Sequence, residues 1–194
     1  MRKYLVVLAL LVMPAVAFGA AENSMRLFVD GGTDVTLDID ALPATLELTL
    51  VIDSEEFAIG TWQSGVEASV AGVFAITEEV LGTRFNTQMA SAIGPLDPKS
   101  PIAVDMVLFH ADGDVQPEEL PLTVATWTLA LDTDAIGLGD YTLTPHTNKL
   151  VSSVGGDIEG ENLITAGVTV NVIPEPATML LLAGALPFLR RRRA

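Results

Sequence analysis

From Leu122 to Asp132 the chain reads LTVATWTLALD, an alternation with a period of two residues. Successive side chains of a strand point to opposite faces, so this pattern fits a sheet with one buried side and misfits a helix. Val124, Thr126, Thr128 and Ala130 stand on one face, opposite Ala125, Trp127, Leu129 and Leu131. The same period recurs at Thr33 to Asp40 (TDVTLDID), whose outer face is acidic, and at Leu46 to Ile52 (LELTLVI). Phe57 to Gln63, Val66 to Ile76, Ile102 to His110, Tyr141 to Thr144 and Leu163 to Ile173 complete the predicted strands. Turn chemistry separates them at Asp30-Gly31-Gly32, Asp112-Gly113, Gly137 to Asp140 and Gly155-Gly156-Asp157. Thr77 to Ala92 is the one stretch with room for a helix, and Gly82 and Thr83 keep it short. No strand–helix alternation exists, so the expectation is an all-β antiparallel sandwich or jelly roll of roughly seven to ten strands. Its predicted core includes Val35, Leu37, Ile39, Leu48, Leu50, Val107, Trp127, Leu129 and Leu131.

Both ends fall outside this pattern. Met1-Arg2-Lys3 is a positive start, Tyr4 to Met13 is apolar, and small residues follow at Ala15, Ala17, Gly19, Ala20 and Ala21. That three-part order is a secretory signal peptide over residues 1–21, with cleavage expected after Ala17, Gly19 or Ala21. At the other end stand Pro174-Glu175-Pro176, an apolar run from Ala177 to Leu189, and Arg190, Arg191, Arg192 and Arg193 before Ala194. The run is thirteen residues long. As a helix it spans ~20 Å against a hydrocarbon core of about 30 Å. Such a short transmembrane helix enters a bilayer if the arginines snorkel and the membrane thins. Four arginines hold the terminus on the cytoplasmic side and leave Pro-Glu-Pro outside. Motif, span and basic cluster in this order resemble the PEP-CTERM sorting tail of Gram-negative bacteria. The resemblance covers residues 174–194. It implies export to the cell envelope, surface or extracellular matrix, an exosortase-type processing enzyme as partner, and association with exopolysaccharide.

Residues 22–173 remain as one domain long enough to bury a core. They carry four basic residues, Arg26, Arg84, Lys99 and Lys149, against 24 acidic ones, a net charge of −20. Such a surface repels nucleic acid and anionic headgroups and attracts cations. The chain has no cysteine, so stability in an oxidising compartment rests on packing rather than disulfides, and thiol chemistry is excluded.

Gly31 to Leu37 (GGTDVTL), followed by Leu46 to Asp53, resembles the opening of a cohesin-like domain. Ala125 to Leu131, then Gly139 to Leu143, is similar to the paired final strands of such domains. The resemblance covers residues 26–173, and carbohydrate-binding modules share the architecture. It implies a sandwich that binds a protein partner or a polysaccharide.

Motifs that carry chemistry are sparse. His110 and His146 are far apart and read as a strand end and a loop residue. No Gly-x-Ser-x-Gly elbow and no phosphate-binding glycine loop occurs, and Ser64-Gly65 has no adjacent base in sequence. Asp112-Gly113-Asp114-Val115 with Glu119 resembles the second half of an EF-hand-like calcium loop, Glu119 taking the bidentate position. Its first and third positions would be Leu108 and His110, which are poor Ca2+ ligands, so the segment reads as a hairpin turn. Asp132-Thr133-Asp134 with Asp140 is a second, incomplete oxygen cluster. A sugar platform needs exposed aromatic rings. Trp127 is in phase with Leu129 and Leu131 and belongs to the core, which leaves Trp62 as the candidate.

Three functions follow. The first is an exported, non-enzymatic surface or matrix protein. The second is a cohesin-like binding module. The third is a glycoside hydrolase with two carboxylates in an acidic cleft, and no pair can be chosen from sequence.

Overall fold

The computed structural model describes residues 23–85, 87–88, 93–96, 108–109, 113–152 and 156–174. Residues 1–22, 175–194 and most of the expected 102–110 strand, Val107 included, lie outside them. Among the described residues the strands are β1 (Ser24–Val29), β2 (Asp34–Asp38), β3 (Thr45–Asp53), β4 (Thr61–Ala68), β5 (Phe74–Leu81), β6 (Thr87–Gln88), β7 (Gly94–Pro95), β8 (Leu108–Phe109), β9 (Leu122–Leu131), β10 (Gly139–Ser152), β11 (Gly156–Ile158), β12 (Ile164–Ala166) and β13 (Val168–Ile173). They form two sheets. The first has the order β12-β1-β3-β9-β5-β7, the second β2-β13-β10-β4-β8-β6, with β11 also on β10.

The sheets meet face to face over one apolar layer. Leu27, Leu48, Leu50, Ile52, Phe74, Ile76, Trp127 and Leu129 come from the first sheet, and Trp62, Val66, Leu143, Leu150, Val170 and Val172 from the second; all are buried. The Phe74 and Tyr141 rings join the layers edge to face, with centroids 5.7 Å apart. Trp127 is fully buried, and its indole N–H donates to Glu79 Oε1 at 2.9 Å, so its one polar atom is satisfied. Leu37 is buried as predicted, while Val35 and Ile39 are half-buried at the margin of the layer.

Bulges break the alternation where sequence shows none. The β3–β9 register slips between Leu50 and Val51, so Leu50 faces Ala125 and Val51 faces Thr123. Val124 is the extra residue, and Val124 and Ala125 are both buried although they are neighbours. A second slip between His146 and Lys149 lies opposite β4, where Ser64, Gly65 and Val66 are buried in succession.

Several expected elements differ. β1 is a full strand that the sequence pattern did not single out, because SMRLFV mixes Arg26 and Phe28 into its outer face. The 33–40 strand stops at Asp38, whose side chain caps a 3₁₀ turn over Ile39–Ala41 by accepting from Asp40 N–H. Val66 to Ile76 is two strands with a turn between them, where Gly72 has φ +76°. The 57–63 strand begins later, at Thr61. Thr77 to Leu81 continues β5, and Thr87–Gln88 is strand, so no helix forms in the described part of 77–92. β10 runs well beyond Thr144 and takes His146 out of a loop.

The sheets are also mixed rather than purely antiparallel. β1 pairs β12 in parallel, and β2 pairs β13 in parallel. The opening and closing runs of the domain thus lie side by side, and both pass from the first sheet to the second. The opening run crosses at Asp30-Gly31, where both residues have positive φ and the Val29 and Gly32 backbones exchange hydrogen bonds of 2.8 and 2.9 Å. Asp30 also accepts from Glu47 N–H at 2.9 Å, which seats the turn on β3. The closing run crosses at Gly167, where a Cβ would collide with the Leu143 carbonyl oxygen.

Two outcomes test this packing. Trp127→Ala should lower stability by ~3–5 kcal/mol in urea unfolding, the usual cost of a large-to-small core change. Gly167→Ala should cost about 1–3 kcal/mol from overpacking at the crossing, while Gly137→Ala, whose Cβ would meet only the Tyr141 hydroxyl at 3.9 Å, should cost less.

Candidate functional site

The sorting residues Glu175, Pro176 and Arg190 to Arg193 lie outside the described residues. Pro174 is the last one described, directly after β13. Among the described residues no helix is long and apolar enough to cross a membrane.

The sugar-platform residue is not where the sequence put it. Trp62 is 0% exposed, deep between the sheets, because the 61–68 strand turns that position inward. Trp127 is equally buried, so neither tryptophan presents a ring at the surface.

The calcium candidates are dispersed. Asp112 and His110 lie outside the described residues. Asp114 precedes Val115, whose backbone bridges Ile59, and its carboxylate packs against Gly60. Glu119 Oε2 accepts from the Arg84 guanidinium at 2.9 Å and from Gln116 N–H at 3.0 Å, closing a capping box on a 3₁₀ turn. Asp132 Oδ1 accepts from Asp134 N–H and Ala135 N–H at 3.0 and 3.2 Å, ordering the turn after β9. Asp134 and Asp140 are exposed. Among the described residues no three His, Cys, Asp or Glu side chains converge into a metal-sized group. Ser64 is buried, with its hydroxyl on the Asn148 side-chain oxygen at 2.7 Å and the Gly65 carbonyl at 3.1 Å.

Two surfaces remain. The outer face of the second sheet is polar and short-chained. Asp34 and Thr36 of β2, Thr169 and Asn171 of β13, Asp140, Thr142 and Thr144 of β10, and Glu67 of β4 follow one another in register. Glu67 Oε2 lies 3.5 Å from His146 Nδ1. At the far end of β10, Lys149 pairs with Asp157 and, at 3.9 Å, with Glu159, clipping the β10–β11 hairpin. The hydrogen bond to Asp157 raises the Lys149 pKa above its ordinary 10.5, with the Asp157 and Glu159 charges adding in the same direction and desolvation opposing.

The outer face of the first sheet holds a concavity of about 320 Å³ lined by Ser24, Arg26, Phe28, Val51, Asp53, Glu55 and Pro121. β1 and β3 build it through the register Ser24–Asp53, Arg26–Val51 and Phe28–Thr49. Pro121 closes it from the segment before β9. Sequence inspection missed this place, because its residues are scattered over 24–121 and meet only through strand pairing. Asp53 and Glu55 share the concavity, but they come from one segment two residues apart, not from two facing elements.

No family model matches the sequence, and no curated protein matches it. Solved structures do. A non-cellulosomal cohesin from the archaeon Archaeoglobus fulgidus superposes with TM-score 0.52 at 8% identity, over 82% of this chain and 96% of that one. A cohesin–dockerin complex containing CaCohA2, a cohesin of Clostridium acetobutylicum, gives TM-score 0.51 at 10% identity, over 78% and 99%. A type I cohesin–dockerin complex from Clostridium thermocellum gives 0.50 at 10% identity, over 78% and 100%. At these identities the likeness is one of fold: the chain has a cohesin-like β-sandwich.

The Lys149 clip carries a pH signature. Its pKa is raised in the folded state, so its contribution to stability is present at neutral pH and is lost as pH rises past 10.5. The gap in unfolding midpoint between the wild-type chain and Lys149→Met should therefore shrink as pH climbs above that value.

Proposed function

We propose that the chain is an exported, non-enzymatic surface protein whose sandwich binds a protein partner and whose tail is a PEP-CTERM-type sorting signal. The observation that carries the binding role is the fold-level match to whole cohesin domains, which this chain covers to 96–100% at TM-scores of 0.50–0.52, two of them solved with a dockerin bound. Burial of both tryptophans favours a protein partner over a polysaccharide, since neither presents its ring on a sheet face for a sugar to stack on. The strongly acidic surface adds an attraction for basic partners and repels nucleic acid.

In this proposal the tail delivers the module. Pro174-Glu175-Pro176 is read outside the inner membrane by an exosortase-type enzyme, Ala177 to Leu189 holds the chain during export, and Arg190 to Arg193 keep the terminus inside. Pro174, the last described residue, directly follows β13, and in this reading the tail's apolar residues serve the membrane rather than the sandwich core.

Two experiments test the two halves. With an epitope tag before Pro174, wild type should leave the membrane at reduced size, while a Pro174–Pro176 deletion should stay in the membrane at full size. Identical fractions and sizes would make the tail a plain anchor. Separately, a photo-cross-linker at Val80, 66% exposed on the first sheet, and another at Thr142 on the second should yield a discrete protein adduct from at least one face of the exported chain. Polysaccharide smears, or no adduct from either face, would reject a protein partner.

A further inference from the structure

The concavity on the first sheet has a composition that neither the fold nor the tail requires. Outward positions of a half-buried strand are ordinarily polar and flat, yet here Phe28, Val51 and Pro121 form an apolar wall about a recess. Ser24 lines it while only 2% exposed. Asp53 and Glu55 stand at its end, and among the described residues neither carboxylate makes an ion pair or a side-chain hydrogen bond. Both carboxylates reach solvent at the rim of the recess, and their oxygens keep full acceptor capacity for a ligand's cation.

We propose that this concavity is an anchor pocket for an arginine or lysine side chain presented by an extended segment of the protein partner. The inference rests on the binding-module reading above and names its contact point. Charge decides the occupant. Two carboxylates against the single guanidinium of Arg26 leave the lining net negative, within a domain of net charge −20. An anionic ligand is therefore disfavoured. The aliphatic stem of arginine or lysine lies along Phe28, Val51 and Pro121, and the cationic head reaches Asp53 and Glu55. A volume of about 320 Å³ is at the lower end of the roughly 300–1,000 Å³ of ligand pockets, enough for one long side chain with adjoining backbone. Position agrees. The pocket lies beside Ser24 and Ile164, which pair at the start of the run Ile164 to Ile173, whereas the tail leaves from the other end of that run.

The test is amide NMR of the full chain in detergent micelles, titrated with acetyl-Val-Arg-Val-amide. Saturable shifts should centre on residues 24–28 and 51–55. The isosteric citrulline peptide, which keeps the shape and loses the charge, should bind roughly tenfold more weakly or worse, and so should the arginine peptide to Asp53→Asn/Glu55→Gln. The variant's unfolding midpoint should match wild type. If the double variant does not fold, Glu55→Gln alone gives the same readout, since Glu55 is exposed beyond the end of β3. Equal affinity for the citrulline peptide, unchanged binding by the carboxylate variant, or stronger shifts at 24–28 and 51–55 with cellobiose would each overturn the pocket. Shifts centred on Glu67 and Thr142 to His146, or no saturable shift while the Thr142 cross-link still forms, would overturn the pocket and leave the binding-module reading standing.

Discussion

Without a disulfide, one layer of apolar side chains between two sheets must hold this domain together. Trp127 is central to it, on β9, a strand paired on both sides within the first sheet. Burying its ring secures the β3–β9–β5 ladder against the second sheet, and the Glu79 carboxylate takes the indole N–H that would otherwise be stranded in the interior. Opposite it, Trp62, Leu143 and Val170 complete the layer. Tyr141 joins layer and loop at once. Its ring meets Phe74 across the sheets, and its hydroxyl donates to the Gly137 carbonyl at 3.0 Å and accepts from Gly137 N–H at 2.9 Å.

Closure along one side follows from how the ends of the domain cross between sheets. β1 and β12 lie in the first sheet, β2 and β13 in the second, each pair parallel. A crossing needs backbone that ordinary residues resist. Positive φ at Asp30 and Gly31 provides it on the opening run, and the missing Cβ of Gly167 provides it on the closing run. Asn23 strengthens the seam: its side-chain oxygen accepts from the Ser54 hydroxyl at 2.7 Å, and its backbone carbonyl accepts from Ile164 N–H at 2.9 Å. The same seam sets β1 beside β3 in the register that brings Ser24, Arg26 and Phe28 next to Val51 and Asp53. Fold and pocket therefore share a cause.

The two outer faces differ in kind. The second sheet shows short hydroxyl, amide and carboxylate side chains in register. The first sheet couples an apolar wall to two carboxylates. A partner recognised by charge and shape together gains more from the second arrangement, since desolvation strengthens an ion pair set against an apolar wall. Acidity over the rest of the domain acts at longer range on encounter.

Much of this was legible in the residues alone. Period-two alternation identified β3 and β9 almost to the residue and marked Leu48, Leu50, Trp127, Leu129 and Leu131 as core, because a strand's side-chain period is a local property of the backbone. Asp30-Gly31-Gly32 announced its turn for the same reason. What local pattern could not decide was partnership. The bulge that buries Val124 beside Ala125 exists only because β3 and β9 slip against each other. The parallel pairing of first and last runs joins residues some 140 positions apart in sequence, such as Ser24 and Ile164. Trp62 sat beside polar Gln63 at a predicted strand end, and only the stacking of two sheets decided that its ring turns inward. The recess between β1 and β3 likewise has no signature along the chain. Its wall is written in residues 24–28 and 51–55, but its shape is a property of strands in contact.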